Sequence, residues 1–168
     1  TPVSTKTGVT DVTFDKTAPV VTLTSIAGDN YSNNSEKGAI VVVGTAEANA
    51  LVSISLTNEA TVSGTQQLTG GGTAYSITIN GATLSDGTVT PSVTATDAAG
   101  NVSAAVSTPT ATKDIIAPTI TSKTPSASAV GIDPTSNITV VFNEDVVITD
   151  AQVTLQKGSD TPVTTVVT

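Results

Sequence analysis

The sequence predicts an all-β chain of tandem two-layer sandwiches, and three observations carry that prediction. First, 38% of the 168 residues are hydrophobic but only 2% are aromatic, with no Trp and two Phe. A core made of Val, Ile, Leu and Ala suits packed β-layers. Second, Thr and Val recur in short runs of period two, and both are β-branched and stiff at χ1. Third, the chain resembles itself. "VSTKTGVTDVTFDKTAP" at 3–19 aligns with "VSAAVSTPTATKDIIAP" at 102–118, and Val3/Val102, Asp15/Asp114 and Pro19/Pro118 all differ by 99.

A repeat near one hundred residues has the length of an immunoglobulin-like Greek-key sandwich. The expected organisation follows from that period. Residues 1–14 read as the last strand of a preceding domain, 15–114 as one complete repeat, and 115–168 as the N-terminal part of a second domain. The opening "TPVST" reads as the start of a piece of a longer or processed protein.

Within the complete repeat, seven strands are expected, with turn signals between them. "APVVTLTS" is strand A, with Val21 and Leu23 on one face, and "GAIVVVGTA" is strand B, apolar enough for the middle of a sheet. "LVSISLT" is strand C, which alternates and points Val52, Ile54 and Leu56 inward. "ATVSGTQQLTGGG" is a weak, Gly-rich edge, strand D with its loop. "AYSITIN" is strand E, aligning Tyr75, Ile77 and Ile79, and "NG" at 80–81 is a turn signal. "DGTVTPSVTATD" is strand F, with Val89, Val93 and Ala95 inward. "VSAAVSTPTAT" is strand G, where Pro109 suggests a sheet edge that tolerates a missing N–H. In the second domain "APTITSKTP", "NITVVFNED" and "VTLQKG" read as strands A, B and C, with Phe142 as the largest core residue.

Composition excludes several functions. The chain has no Cys, His or Met, and its only basic residues are six lysines against fourteen acids, a net charge of −8. There are no disulfides and no soft-metal ligands, and the commonest general base is missing. The acidic surface repels nucleic acid and anionic membranes, and no apolar run is long enough to insert in a bilayer. No nucleophile setting or Gly-rich phosphate loop supports an enzyme. The lysines Lys6, Lys16 and Lys113 read as linker and loop residues, so cross-links between strands are not expected.

The acids attract hard cations instead. In such a sandwich the B–C and F–G loops share one end, and strand A begins there. That topology brings Asp15 from the linker, Glu47 from "AEANA" and Asp97 from "DAAGN" to one region. Three carboxylates crowded together need a counter-charge, and calcium accepts six to eight oxygens without His or Cys. Asn101 is the expected supporting ligand. The next junction repeats the pattern in part, through Asp114 and through Asn143, Glu144 and Asp145 of "FNED". Turn chemistry alone also accounts for "DAAGN": Asp opens a type I turn and Gly follows three residues later in left-handed conformation. Only the convergence of the three acids points beyond it.

"DKTAPVVTLTS", "GTAEANALVSISL", "DGTVTPSVTATDAAGNVS" and "KDIIAP" resemble the bacterial immunoglobulin-like tandem repeats of large surface adhesins. "APTITSKTPSASAVGIDPTSNITVVFNEDV" resembles a related module of surface-layer and other secreted proteins. The resemblance implies an extracellular or cell-surface spacer, partnered by neighbouring domains of its own chain, with calcium at domain junctions. It also places Asp15, Glu47 and Asp97 on acidic positions of the repeat motif. Alternatives remain open. One is a carbohydrate- or receptor-binding module using Tyr31 as its platform, another an accessory domain of a secreted enzyme. The last is a self-assembling subunit whose strands complement one another between copies.

Overall fold

The computed structural model describes residues 14–133 and 135–147. Their contacts divide the chain into two units, Thr1–Ile115 and Ile116–Thr168. The expected strand over residues 1–14 falls outside the described residues except for Phe14, as does "VTLQKG".

The described regular structure consists of strands throughout. In the first unit these are β1 Val21–Ile26, β2 Tyr31–Ser32, β3 Ile40–Ala46, β4 Leu51–Thr57, β5 Thr61–Gln67, β6 Ala74–Ile79, β7 Gly87–Thr96 and β8 Ala111–Lys113. They form two sheets, one ordered β1-β3-β6 and the other β2-β8-β7-β4-β5. This is the immunoglobulin-like sandwich expected from the sequence, and the period-two pattern explains its core. Val52, Ile54 and Leu56 of β4 and Tyr75, Ile77 and Ile79 of β6 are all buried in one core. Val21, Leu23 and Ile26 of β1, with Val89, Val93 and Ala95 of β7, close the same core. Each such aliphatic side chain contributes about 1.5–3 kcal/mol by leaving water.

Two inward positions are decided by packing rather than hydrophobicity. Gly44 pairs with Leu23 on one side and Tyr75 on the other. A Cβ there would collide with the Tyr75 ring and the Thr22 carbonyl. The bare backbone leaves a slot through which Tyr75 passes beneath β3 and donates its hydroxyl to Thr22 O at 2.6 Å. Burial pushes the Tyr75 hydroxyl up to about 12. Pro91 is also buried, in the middle of β7. Val93 exchanges both backbone hydrogen bonds with Val106 on the strand-G side. Pro91, two residues earlier, turns its missing N–H the same way, and pairing lapses there between Val106 and Ala111.

Strand G differs from expectation. It is broken into bridges at Val102 and Val106 followed by β8, and Pro109 falls in the gap. Its last part is not a sheet edge, because β2 pairs with β8 in parallel. The A–B loop supplies β2 and is tied down by Thr112 N–H to Asn30 O at 2.9 Å and Asp114 N–H to Ser32 O at 3.0 Å. Strand D pairs with strand C over seven consecutive positions.

In the described part of the second unit, β9 Ile120–Thr124 and β10 Thr139–Phe142 form an antiparallel hairpin. These are the expected A and B strands. Phe142 is half-buried. Asp133 shapes the intervening loop by accepting the N–H and hydroxyl of Thr135 through Oδ1 at 2.8 and 2.7 Å. Those bonds, the backbone one first, hold its carboxyl below the usual range.

Candidate functional site

The loops at one pole of the first unit position the predicted acids. Strand β1 begins beside the end of β3 (Val21 pairs with Ala46), and β4 begins beside the end of β7 (Leu51 pairs with Thr96). The linker, the B–C loop and the F–G loop therefore meet at this pole, as the topology required.

The F–G loop is organised around Asp97. Its N–H donates to Asn101 O at 3.1 Å, and Gly100 N–H donates to Asp97 O at 3.2 Å. Gly100 has φ of 92°, a left-handed conformation that glycine adopts without a Cβ penalty. Asp97 Oδ1 accepts Asn101 N–H at 2.8 Å, and Oδ2 accepts the Asn101 side-chain amide at 2.8 Å. That amide, opposed by partial desolvation and aided by the backbone N–H groups of Asn101, Ala99 and Gly100, holds the Asp97 carboxyl below the usual range.

Asn101 also reaches across to the linker. Its Nδ2 donates to Asp15 O at 3.2 Å, a contact spanning 86 residues of sequence. The Asp15 carboxylate turns back on its own segment and accepts Thr17 N–H at 2.9 Å. Glu47 is exposed; its N–H donates to Val20 O at 3.1 Å and its carbonyl accepts Ala50 N–H at 3.2 Å. All three segments are joined at this pole, but through backbone groups and one amide.

No group of three or more acids able to hold a metal ion forms among the described residues. None of Asp15, Glu47, Asp97, Asp114, Glu144 and Asp145 belongs to such a group. Two of these carboxylates are engaged locally: Asp97, kept ionised, accepts donors of its own loop, and Asp15 accepts Thr17 N–H of its own turn. The crowding that would demand a counter-ion does not arise. Asn101 connects loop and linker through its amide nitrogen.

The corresponding residues further along the chain are placed individually. Asp114 follows β8 and donates its N–H to Ser32 O. Asn143 clasps Thr119 in both directions, with Oδ1 accepting Thr119 N–H at 2.6 Å and its own N–H donating to Thr119 O at 3.0 Å. Glu144 is half-buried with Oε1 out of solvent and unbonded among the described residues, and Asp145 is exposed. Tyr31 lies on β2, 63% exposed.

One polar group was misread from the sequence. Lys113 is no linker lysine. It is 2% exposed at the end of β8, donates to Leu84 O, and lies 3.6 Å from Asp86 Oδ1. A signal existed: period two through Ala111 points residue 113 inward, and the aligned residue of the preceding segment is Phe14. Asp86 serves as the partner of this buried cation.

Residues 114–168, about a third of the chain, match a family described as "Bacterial Ig-like domain". The predicted resemblance to bacterial Ig-like repeats is borne out over that segment. Domains of this kind are structural or surface-associated modules, generally non-enzymatic, that typically occur in extracellular or surface proteins. No curated protein matches the chain, and no solved structure does. Among the described residues no helix is long and apolar enough to cross a membrane.

Proposed function

We propose that this chain is part of a spacer or stalk of a bacterial cell-surface or extracellular adhesin-like protein, with residues 15–114 as one repeat. The observation that supports it is the course of the chain through the first unit. It enters at the pole where Asn101 holds the linker, at the start of β1, and leaves at the opposite pole, where Lys113 pairs with Gly87. A module entered at one pole and left at the other adds its own length when repeated, and the offset of 99 residues supplies the repetition. Among the described residues of the first unit the acids stand outside the strands, and the one charged strand residue, Lys113, is buried.

The test is to delete or duplicate residues 15–114 in the native bacterial protein and measure its length by electron microscopy. A spacer changes length by one repeat while any distal binding persists. Loss of binding at unchanged length would defeat the reading. Calcium is not carried into it, because the acids form no group of three among the described residues. Melting temperature is expected to be the same with calcium and with a chelator, and a rise with calcium would restore an ion to the pole. A second reading, carbohydrate binding, is favoured only by the exposed Tyr31. Specific glycan-array binding lost in Tyr31→Ala would establish it.

A further inference from the structure

The strand by which the chain enters the first unit and the strand by which it leaves lie in different sheets. β1 belongs to the sheet ordered β1-β3-β6, and β8 to the sheet ordered β2-β8-β7-β4-β5. β1 starts at the pole of entry, where Val21 pairs with Ala46, and β8 ends at the opposite pole, where Lys113 pairs with Gly87. A pull on the two ends therefore draws the sheets past one another, against a core packing that has no preferred direction. A hydrogen-bonded tie between the ends requires the chain of β1 to cross into the sheet of β8. β2 makes that crossing.

The turn leading from β1 to β2 is tied at both ends by one residue. Asn30 N–H donates to Ile26 O at 2.7 Å, and Asn30 Oδ1 accepts Ile26 N–H at 3.0 Å. Asn30 has φ of 67°, a left-handed conformation in which asparagine is enriched. Its carbonyl oxygen accepts Thr112 N–H at 2.9 Å, and Ser32 O accepts Asp114 N–H at 3.0 Å. β2 and β8 run parallel. Tension drags β2 toward its N-terminal end and β8 toward its C-terminal end. The bonds between them are then sheared together instead of opening one after another. The end of β8 has a further anchor, because Lys113 Nζ donates to Leu84 O and lies 3.6 Å from Asp86 Oδ1.

We infer that β2 is a tension latch, passing an end-to-end load from the entering strand to the leaving strand through Asn30 and Ser32. The inference rests on the spacer reading, since a module in a stalk is pulled from both ends. Covering the edge of β8 would be served equally by a slack loop. The double tie of Asn30 to Ile26 goes beyond cover: it makes the turn taut, so a displacement of β1 reaches β2 without first straightening a loop.

The test uses the whole chain, which has no cysteine and so accepts handles at chosen positions. Lys16→Cys with Ala117→Cys, both exposed, loads the first unit from end to end. Lys16→Cys with Glu47→Cys instead opens β1 from β3 at the entry pole, one pair at a time. Held at constant force in optical tweezers, the end-to-end geometry should survive longer. Asn30→Gly keeps the left-handed turn and removes the side-chain tie. It should shorten the end-to-end lifetime roughly five- to tenfold and leave the entry-pole lifetime unchanged. A Gly-Ser-Gly insertion after Gly28, which gives the turn slack, should act in the same direction. Equal shortening in both geometries would make Asn30 a general stabiliser and overturn the latch. So would an end-to-end lifetime that neither change shortens, or one no longer than that at the entry pole. The spacer reading is judged separately, by the length of the bacterial protein, and stands or falls there whatever the lifetimes show.

Discussion

The β1–β3 pair of the first unit and the β9–β10 pair of the second are built on one plan and packed differently. In each, the strand-A residue just before the ladder accepts an N–H from the residue just after strand B: Val20 from Glu47, Thr119 from Asn143. Val21 faces Ala46 as Ile120 faces Phe142. Yet the inward side chains of β1 are buried, whereas every residue of β9 is exposed. Pairing two strands is local and satisfies backbone groups. Burying their side chains needs an opposing sheet, which β4 and β7 supply in the first unit.

The largest expected departure in this comparison comes from closing the slot under β3. Gly44→Ala should cost roughly 3–4 kcal/mol, combining overpacking with loss of the Tyr75–Thr22 hydrogen bond. Urea unfolding would measure it, and a change below about 1 kcal/mol would show the slot to be adaptable. Next, Ile54→Ala should cost about 3 kcal/mol while Val140→Ala in β10 stays within about 0.5 kcal/mol. Equal costs in thermal melts would erase the distinction between the two hairpins.

Lys113 sharpens the comparison at a polar position. Lys113→Ala should cost about 2 kcal/mol through a cavity and an unpaired Asp86, while Lys113→Met, which keeps the volume but leaves Asp86 equally unpaired, should cost less by the cavity's share only. A Met variant as damaged as the Ala variant would show that the charge itself is required.

The smallest effect concerns the pole. Asn101→Ala should cost about 1 kcal/mol at neutral pH. Asp97 has its folded pKa lowered mainly by the Asn101 amide. Its stabilising share is therefore present above the ordinary carboxylate value of about 3.9 and is lost as pH falls below it. The gap between parent and variant should narrow in that acid range. A gap that is constant from neutral pH to acid would separate the Asn101 contact from the Asp97 charge.

What was legible in the sequence lay where one side chain's fate is set by its own alternation. Val52, Ile54 and Leu56, or Tyr75, Ile77 and Ile79, could be assigned inward from period two alone. The glycine turn of "DAAGN" was legible for the same reason, since Asp97 and Gly100 act within four residues. The candidate site was legible only to the level of which loops share a pole. Proximity of segments follows from topology, whereas the direction of a carboxylate depends on the nearest donor. For Asp97 that donor is Asn101.

The sequence by itself determined the class, the strand succession, the repeat and the inward faces, because these rest on local periodicity. Tertiary structure alone decided the rest: the parallel two-residue β2, the burial of Lys113 beside Asp86, the passage of Tyr75 past Gly44, and the tie from Asn101 to the linker. Each depends on groups brought together from distant parts of the chain, and a periodic pattern carries no information about which distant partner arrives.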